Sequence, residues 1–447
     1  MVRNDKQSRN RRDVLKLTGV SGVALLAGCV STTDDEDTTD GGNGGGSDGG
    51  DDGGSDGGTD DGSDGDDGGS DGGDTSPYKI GMVDSVSGSL SAFGQRNQRG
   101  KDLAIADVNA EGIGGRDLEI TVEDSQSEAQ AGVSAAQKLV NQDEVPFLIG
   151  AVGSSVSLAI YQSVIQGTDV VQLSQNSTSP DLTNFPGLLR MSPTGSVQAG
   201  ALADLISNDG YDDVAITYIN NDYGKGITDS FTEAYDGNVA YEQSHDQGQS
   251  SYSNVVSGMA NADADAWLFI TYQPEFSTMA QEAYSSGYEA QFYGADSAKG
   301  PKILENTPEG SLDGMKVVAP SAAIDQDNYK QFASRFEDEH GSEPTAWSAY
   351  AYDCVVNAAL AIHTANEFTG AALQETVRDV TRPEGEKVST YAEALEVLGD
   401  DGSASDIDYE GVSGPIDFDE NGDPVGFLQV FTVQNHEYVS TGTIASE

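Results

Sequence analysis

Val145-Pro146-Phe147-Leu148-Ile149-Gly150-Ala151-Val152 leads straight into Gly153-Ser154-Ser155, and an amphipathic stretch then runs to Gln166. The first eight residues form a short, nearly continuous apolar run, the pattern of a strand covered on both faces. Gly153 breaks the run, and the two serines offer hydroxyls of the kind that cap a helix start. The stretch therefore reads as strand, tight exit, helix, with the helix over Ser155 to Gln166.

The same unit recurs on both sides of this stretch. Strands are expected at Lys79 to Asp84, Leu118 to Glu123, Val170 to Ser174, Val214 to Asn220, Val239 to His245, Ala266 to Thr271 and Gln291 to Ala295. Helices are expected at Gln95 to Ala110, Ala129 to Asn141, Lys225 to Tyr235 and Glu275 to Ser286. Strict alternation of this kind specifies parallel sheets with helices on both faces, an α/β fold. A chain of 447 residues exceeds what one core serves, so two lobes are expected.

In open parallel sheets, ligands bind beyond the carboxyl ends of the strands. In the first half those exits read Ser85-Val86-Ser87-Gly88, Gly153-Ser154-Ser155 and Gln175-Asn176-Ser177-Thr178. In the second half they read Asn221-Asp222-Tyr223-Gly224, Tyr272-Gln273-Pro274-Glu275 and Asp296-Ser297. The first three offer hydroxyls and amides that suit an anion such as a carboxylate. The last three offer two phenols and a carboxylate that suit a cation, so a ligand with both charges satisfies both sets. Each group also has a purely structural use. Ser154 and Ser155 serve as helix caps, Thr178-Ser179-Pro180 as a turn, Tyr272 as a plug at a core edge and Asp296 as a cap. What favours ligand binding is that all six groups fall at strand exits.

Catalysis finds little support. The four histidines, His245, His340, His363 and His436, show no metal-ligand spacing, the Ser-rich loops at the strand exits lack a G-x-S-x-G elbow, and no phosphate-binding G-x-x-x-x-G-K loop occurs. No cofactor or metal is expected.

Acidic residues number 75 against 22 basic ones, a formal net charge of -53 that opposes nucleic acid and anionic membranes. The excess is not confined to one tail, because from Tyr78 onward 57 acids face 16 bases. Such a balance keeps a protein soluble where molar salt shrinks the Debye length to about 3 Å, and it resembles the proteins of extremely halophilic archaea.

At the N-terminus, Arg11 and Arg12 precede a short apolar run from Leu17 to Ala27. The run is shorter than the ~20 residues a membrane span needs, so residues 1–29 read as an export signal. The arginine pair resembles a twin-arginine signal, and Leu26-Ala27-Gly28-Cys29 resembles a lipobox in which Cys29 takes the lipid. Residues 30–77, almost wholly Asp, Gly, Ser and Thr, read as an extended, self-repelling stalk. The mature protein is thus expected at the cell surface, tethered to the outer face of the cytoplasmic membrane. Cys354, the one other cysteine, lies in an apolar helical stretch and reads as a core residue.

Several ordered segments resemble the leucine/isoleucine/valine-binding family of solute-binding proteins. They are Ser87-Gly88 with Phe93-Gly94, Ile149-Gly150 with Ser154-Ser155, Ser177-Thr178-Ser179-Pro180-Asp181-Leu182, Asp222-Tyr223-Gly224-Lys225-Gly226, Tyr272 with Pro274-Glu275, Gly294-Ala295-Asp296, and Gly414-Pro415-Ile416 with Asp423. The resemblance implies the type I periplasmic-binding-protein fold, two doubly wound parallel-sheet lobes joined by three crossovers. These would fall near Met191 to Ser196, Gly314 to Pro320 and Gly411 to Asp417. Lobe 1 would then comprise residues 78–192 plus 320–412, and lobe 2 residues 193–319 plus 413–447.

The resemblance also implies a receptor of an ABC importer that hands a small amino acid, branched-chain or otherwise aliphatic, to permease and ATPase subunits. Ser154 and Thr178 would hold the ligand carboxylate, with Ser177 nearby through its backbone and Phe93 as a wall; Ser87 and Ser155 complete the first-lobe set. Tyr223 and Tyr272 would come from the second lobe, and Asp296 would meet the ammonium group. Relatives for branched-chain ligands commonly carry Glu at that last place, so the side-chain preference stays open. Urea, short amides and other small organic solutes are the alternative ligands, and ligand sensing without transport is the alternative role.

The anchor can be tested by fractionation. A Cys29→Ser variant should leave the membrane fraction and appear in the medium; partial release of the wild type is compatible with one acyl anchor. Full retention of the variant at the membrane would refute the lipobox reading.

Overall fold

The structure, a computed structural model, describes residues 75–399 and 401–445. Arg11, Arg12 and Cys29, and the acidic stretch up to residue 74, lie outside the described residues.

Five strands form the first sheet: β1 (Tyr78–Asp84), β2 (Leu118–Asp124), β3 (Phe147–Gly150), β4 (Val171–Ser174) and β5 (Leu188–Arg190). All pair in parallel, in the order β2-β1-β3-β4-β5. The second sheet starts with five further parallel strands, β6 (Asp213–Ile219), β7 (Asn238–His245), β8 (Ala266–Ile270), β9 (Gln291–Gly294) and β10 (Lys316–Ser321). The chain then returns to the first lobe through a helical region that carries the two short strands β11 (Glu386–Val388) and β12 (Ile407–Tyr409). It crosses once more to add β13 (Phe427–Gln434) and β14 (Glu437–Ala445), giving the order β14-β13-β10-β9-β8-β6-β7. The fold is therefore two α/β lobes linked by three crossovers.

Two features differ from the expectation. The second sheet is mixed, because β13 runs antiparallel to β10 and β14 antiparallel to β13. The stretch expected to be a connection near Gly314 to Pro320 is in fact an inner strand. Pro320, at its end, escapes the penalty a proline carries in mid-sheet. β13 and β14 are joined by a tight turn at Asn435 and His436, both with positive φ, the geometry of a two-residue hairpin.

The first lobe packs around the helix Ala346–Thr364, nearly every residue of which is buried. A helix apolar on all sides belongs inside a core, and here it lies against Ser91–Glu111. Their approach is close enough that a Cβ on Gly100 would stand 2.0 Å from the Ser348 carbonyl oxygen. Cys354 lies on this helix, fully buried, and burial pushes its thiol pKa upward.

Buried charges fasten the crossovers to the first lobe. Arg190, at the end of β5, is fully buried; its Nε donates to Asp423 Oδ1 at 2.6 Å, and its other nitrogens donate to the Ser179 carbonyl and Thr183 Oγ1, both at 2.7 Å. Asp353, on the central helix, accepts from the Tyr409 hydroxyl and from the amides of Val412 and Ser413, where the third crossover begins. Removing one partner of a buried, hydrogen-bonded pair leaves an uncompensated charge. Arg190→Ala should therefore lower unfolding stability by about 3–5 kcal/mol in denaturant titrations, whereas a loss under about 1 kcal/mol would mean that the pair behaves as a surface salt bridge.

Candidate functional site

The exits of β1, β3, β4, β6, β8 and β9 converge where the lobes meet. A pocket there is lined from the first lobe by Leu90, Phe93, Val152, Gly153, Ser154, Asn176, Thr178 and Trp347. From the second lobe it is lined by Tyr223, Tyr272, Asp296 and Ser297. It is narrow, with about 20 Å³ free, the room of a single water-sized sphere.

The first-lobe wall is polar and firmly held. Gly153, at φ +91°, turns the chain out of β3, and a Cβ there would press on Leu90 Cδ1 at 2.9 Å. Ser154 opens the following helix, and its hydroxyl accepts from the Ser179 amide at 3.0 Å. Thr178 is buried beside it, and its Oγ1 has no hydrogen-bond partner. Asn176 Oδ1 accepts from Asn97 Nδ2 at 2.8 Å, which leaves the buried Asn176 Nδ2 without a partner. Behind it, Asp84 is held by Gln98, Asn97 and the Ser85 amide, and burial pushes its pKa up to about 6. Two of the residues lining this wall thus carry buried polar atoms left unpaired. A buried donor without an acceptor costs roughly 1–3 kcal/mol.

The second-lobe wall is organised around a carboxylate. Asp296 Oδ1 accepts from Gln198 Nε2 and from the Tyr223 hydroxyl, each at 3.0 Å, and Oδ2 accepts from the Ser297 hydroxyl at 3.2 Å. These donors are neutral, and burial raises the Asp296 pKa against their opposing pull. Tyr223 stacks on Tyr272 with ring centroids 5.6 Å apart, and Asn221 Nδ2 donates to the Tyr272 hydroxyl at 2.9 Å. Burial pushes both phenols well above their ordinary pKa, so both remain protonated donors.

Six of the nine residues expected to bind ligand therefore line one pocket: Phe93, Ser154, Thr178, Tyr223, Tyr272 and Asp296. The other three do not. Ser87 is exposed, and its hydroxyl donates to Asp124 Oδ2 at 2.6 Å, shaping the β1 exit loop. Ser155 points to the partner lobe, where its Oγ accepts from the Asp222 amide at 2.9 Å, a cross-lobe latch. Ser177 is buried inside the first lobe; its hydroxyl pairs with Ser157 at 2.8 Å and its amide donates to Ser174 Oγ. Asn176 belongs to the strand exit Gln175-Asn176-Ser177-Thr178, whereas Trp347 and Gln198 come from distant helices, and only tertiary packing brings them to the site.

The two-sheet topology and the pocket between the lobes agree with a match to the periplasmic binding protein family over residues 77–436. The chain belongs to that family. It is a family of binding proteins and not of enzymes. A Leu/Ile/Val-binding protein homolog from Brucella melitensis biotype 1 is 27% identical over 242 residues, covering 53% of this chain and 64% of that one. The leucine-specific-binding protein of Salmonella typhimurium is 25% identical over 359 residues, covering 78% of this chain and 88% of its own. The crystal structure of a leucine binding protein from Thermotoga maritima superposes with a TM-score of 0.72 at 24% identity, over 82% of this chain and 98% of that one. That likeness concerns the fold.

Proposed function

We propose that this protein is the solute receptor of an ABC importer, and that its solute is a free α-amino acid gripped by its two α-groups. The observation that carries the reading is Asp296, a buried carboxylate with only neutral donors, set at the same pocket as the unpaired polar atoms of Thr178 and Asn176. A ligand ammonium would supply the missing positive charge, and a ligand carboxylate would supply an acceptor for Thr178, Asn176 and Ser154. The names of the relatives agree with an amino acid. An aliphatic side chain fits the apolar surface of Leu90, Phe93, Val152 and Trp347 as far as that surface reaches.

The narrow pocket requires motion. A ligand larger than a water molecule fits between the walls only if the lobes part, and it favours the closed form by binding both walls at once. Permease and ATPase subunits then take the closed receptor, and a lipid on Cys29 with the acidic stalk would keep it at the outer membrane face.

Truncating one member of a buried charge pair costs about 2–5 kcal/mol, a loss of roughly thirty-fold to several thousand-fold in affinity. Asp296→Asn retains the shape of the side chain and removes its charge. In calorimetric titrations in molar KCl it should weaken amino-acid binding by at least the lower figure, while leaving a neutral amide nearly unaffected. The wild type should also lose affinity on acidification, starting above the ordinary carboxylate range, because the raised pKa lets Asp296 take up a proton early. The same shift has the opposite sign for the empty protein. Asp296 holds its proton more tightly folded than unfolded, so its contribution to stability grows as pH falls through the raised pKa. Amino-acid affinity within about two-fold of wild type in Asp296→Asn would put urea or a short amide ahead.

A further inference from the structure

The pocket does not end at Asp296 and Trp347. Both residues also line a much larger cleft of about 770 Å³ between the lobes, and this cleft receives Arg96 from the first lobe and Lys299 from the second. Arg96 stands with its guanidinium carbon 5.6 Å from the centroid of the Phe93 ring, the ring that meets Trp347 edge to face at 5.6 Å. Lys299 Nζ lies 3.9 Å from the centroid of the Phe431 ring. The pocket and the cleft thus share Asp296 and Trp347, and the cleft carries these two cations on opposite lobes; a third basic residue lining it, the exposed Lys330, is paired with Asp327.

Most basic side chains among the described residues of this acidic chain are ion-paired, and the two cleft cations are among those that are not. With 57 acids to 16 bases from Tyr78 onward, a basic side chain finds a carboxylate easily, and Lys138, Arg190, Lys316, Arg335 and Lys387 all have one. Among the described residues neither Arg96 nor Lys299 is ion-paired. Two further carboxylates line the cleft, Glu337 and Glu343; both are exposed and pair with neither cation. Burial lowers the pKa of both groups, that of Lys299 to about 8 with Arg96 adding to the effect. Ring faces stabilise a cation by about 0.5–2 kcal/mol, but they accept no directed hydrogen bond from it. Guanidinium and ammonium donors confined in a cleft have a natural partner in a carboxylate.

We propose that Arg96 and Lys299 form an anionic subsite, and that the solute is an α-amino acid whose side chain ends in a carboxylate. This rests on the α-amino-acid reading and adds the side-chain class. The α-ammonium lies at Asp296, the side-chain methylenes lie against Phe93 and Trp347, and the terminal carboxylate bridges the two lobes between guanidinium and ammonium. Such a ligand brings two cross-lobe charge pairs into the closed state, where an aliphatic amino acid brings one.

The test is calorimetric titration of the full chain with L-glutamate, its neutral isostere L-glutamine, and L-leucine, in molar KCl and again in potassium gluconate. Wild type should prefer glutamate over glutamine by roughly thirty-fold or more, the effect of one desolvated charge pair. In an Arg96→Gln, Lys299→Gln double variant that ratio should collapse to within about three-fold. Leucine binding without preference for glutamate overturns the anionic subsite and leaves the amino-acid receptor standing. If leucine affinity instead depends on chloride and glutamate gains nothing, the cations hold a free anion, and the assignment to a ligand carboxylate is wrong. Failure of all three amino acids to bind overturns both readings. The wild-type ratio alone decides the matter if the double variant does not fold.

Discussion

A carboxylate buried between two lobes with no cation of its own is the constraint around which the rest of this structure is arranged. Desolvating Asp296 is unfavourable, and the three neutral donors from Gln198, Tyr223 and Ser297 offset only part of that cost. Each donor is fixed in turn. Gln198 Nε2 also donates to the Val318 carbonyl at 2.7 Å, and Tyr223 is wedged against Tyr272. The second lobe thus presents one charge in one orientation, and the parallel strands β6, β8 and β9 deliver Tyr223, Tyr272 and Asp296 to the same end of the sheet. At a buried carboxylate a single matching charge outweighs many apolar contacts.

Around this soft centre the lobes are rigid where they must not give. Arg190 and Asp423 fasten the third crossover to the end of β5, and Asp353 fastens its start to the central helix. Burial raises the Asp353 pKa to about 6, yet its hydrogen bonds from Tyr409, Val412 and Ser413 all pull the other way, as befits a group held for geometry. Contacts that cross the cleft are of another kind. The Asp222 amide meets Ser155 Oγ at 2.9 Å and Gln247 Nε2 meets Ser89 Oγ at 3.1 Å, neutral bonds worth about 1 kcal/mol each, and Ser89 Oγ donates to the Glu275 carboxylate at a long 3.5 Å. Strong fastenings at the crossovers and weak ones across the cleft allow closure to be set by a ligand.

Much of this was legible in the sequence because burial on both faces leaves a mark. Inner strands such as Phe147–Gly150 and Ala266–Ile270 announce themselves as short apolar runs, the half-exposed edge strands Leu118–Asp124 and Asn238–His245 do so less, and the helix Ala129–Asn141 agrees with its expected bounds. The strands that escaped have physical reasons. Leu188–Arg190, Glu386–Val388 and Ile407–Tyr409 span only three residues each, Lys316–Ser321 carries Lys and Pro, and the hairpin strands Phe427–Gln434 and Glu437–Ala445 mix apolar with polar residues without a regular period. At the site, strand exits located Thr178, Tyr223, Tyr272 and Asp296, because backbone topology alone places them. Sequence position does not say which way a serine turns: Ser154 reaches the pocket, whereas the hydroxyls of Ser87, Ser155 and Ser177 bond elsewhere. Trp347, Gln198, Arg96 and Lys299 have no local signature, since their roles arise from the meeting of segments far apart in the chain.

The most direct test of the central claim uses the wild-type protein and two ligands that differ only at the α-carbon: the amino acid that binds most tightly and the α-hydroxy acid with the same side chain. Both keep the carboxylate and the side chain, and only the first carries the ammonium that Asp296 is held to meet. Titration calorimetry should give the hydroxy acid at least roughly thirty-fold weaker binding, the effect of losing one desolvated charge pair. Equal affinities would show that Asp296 does not pair with the ligand.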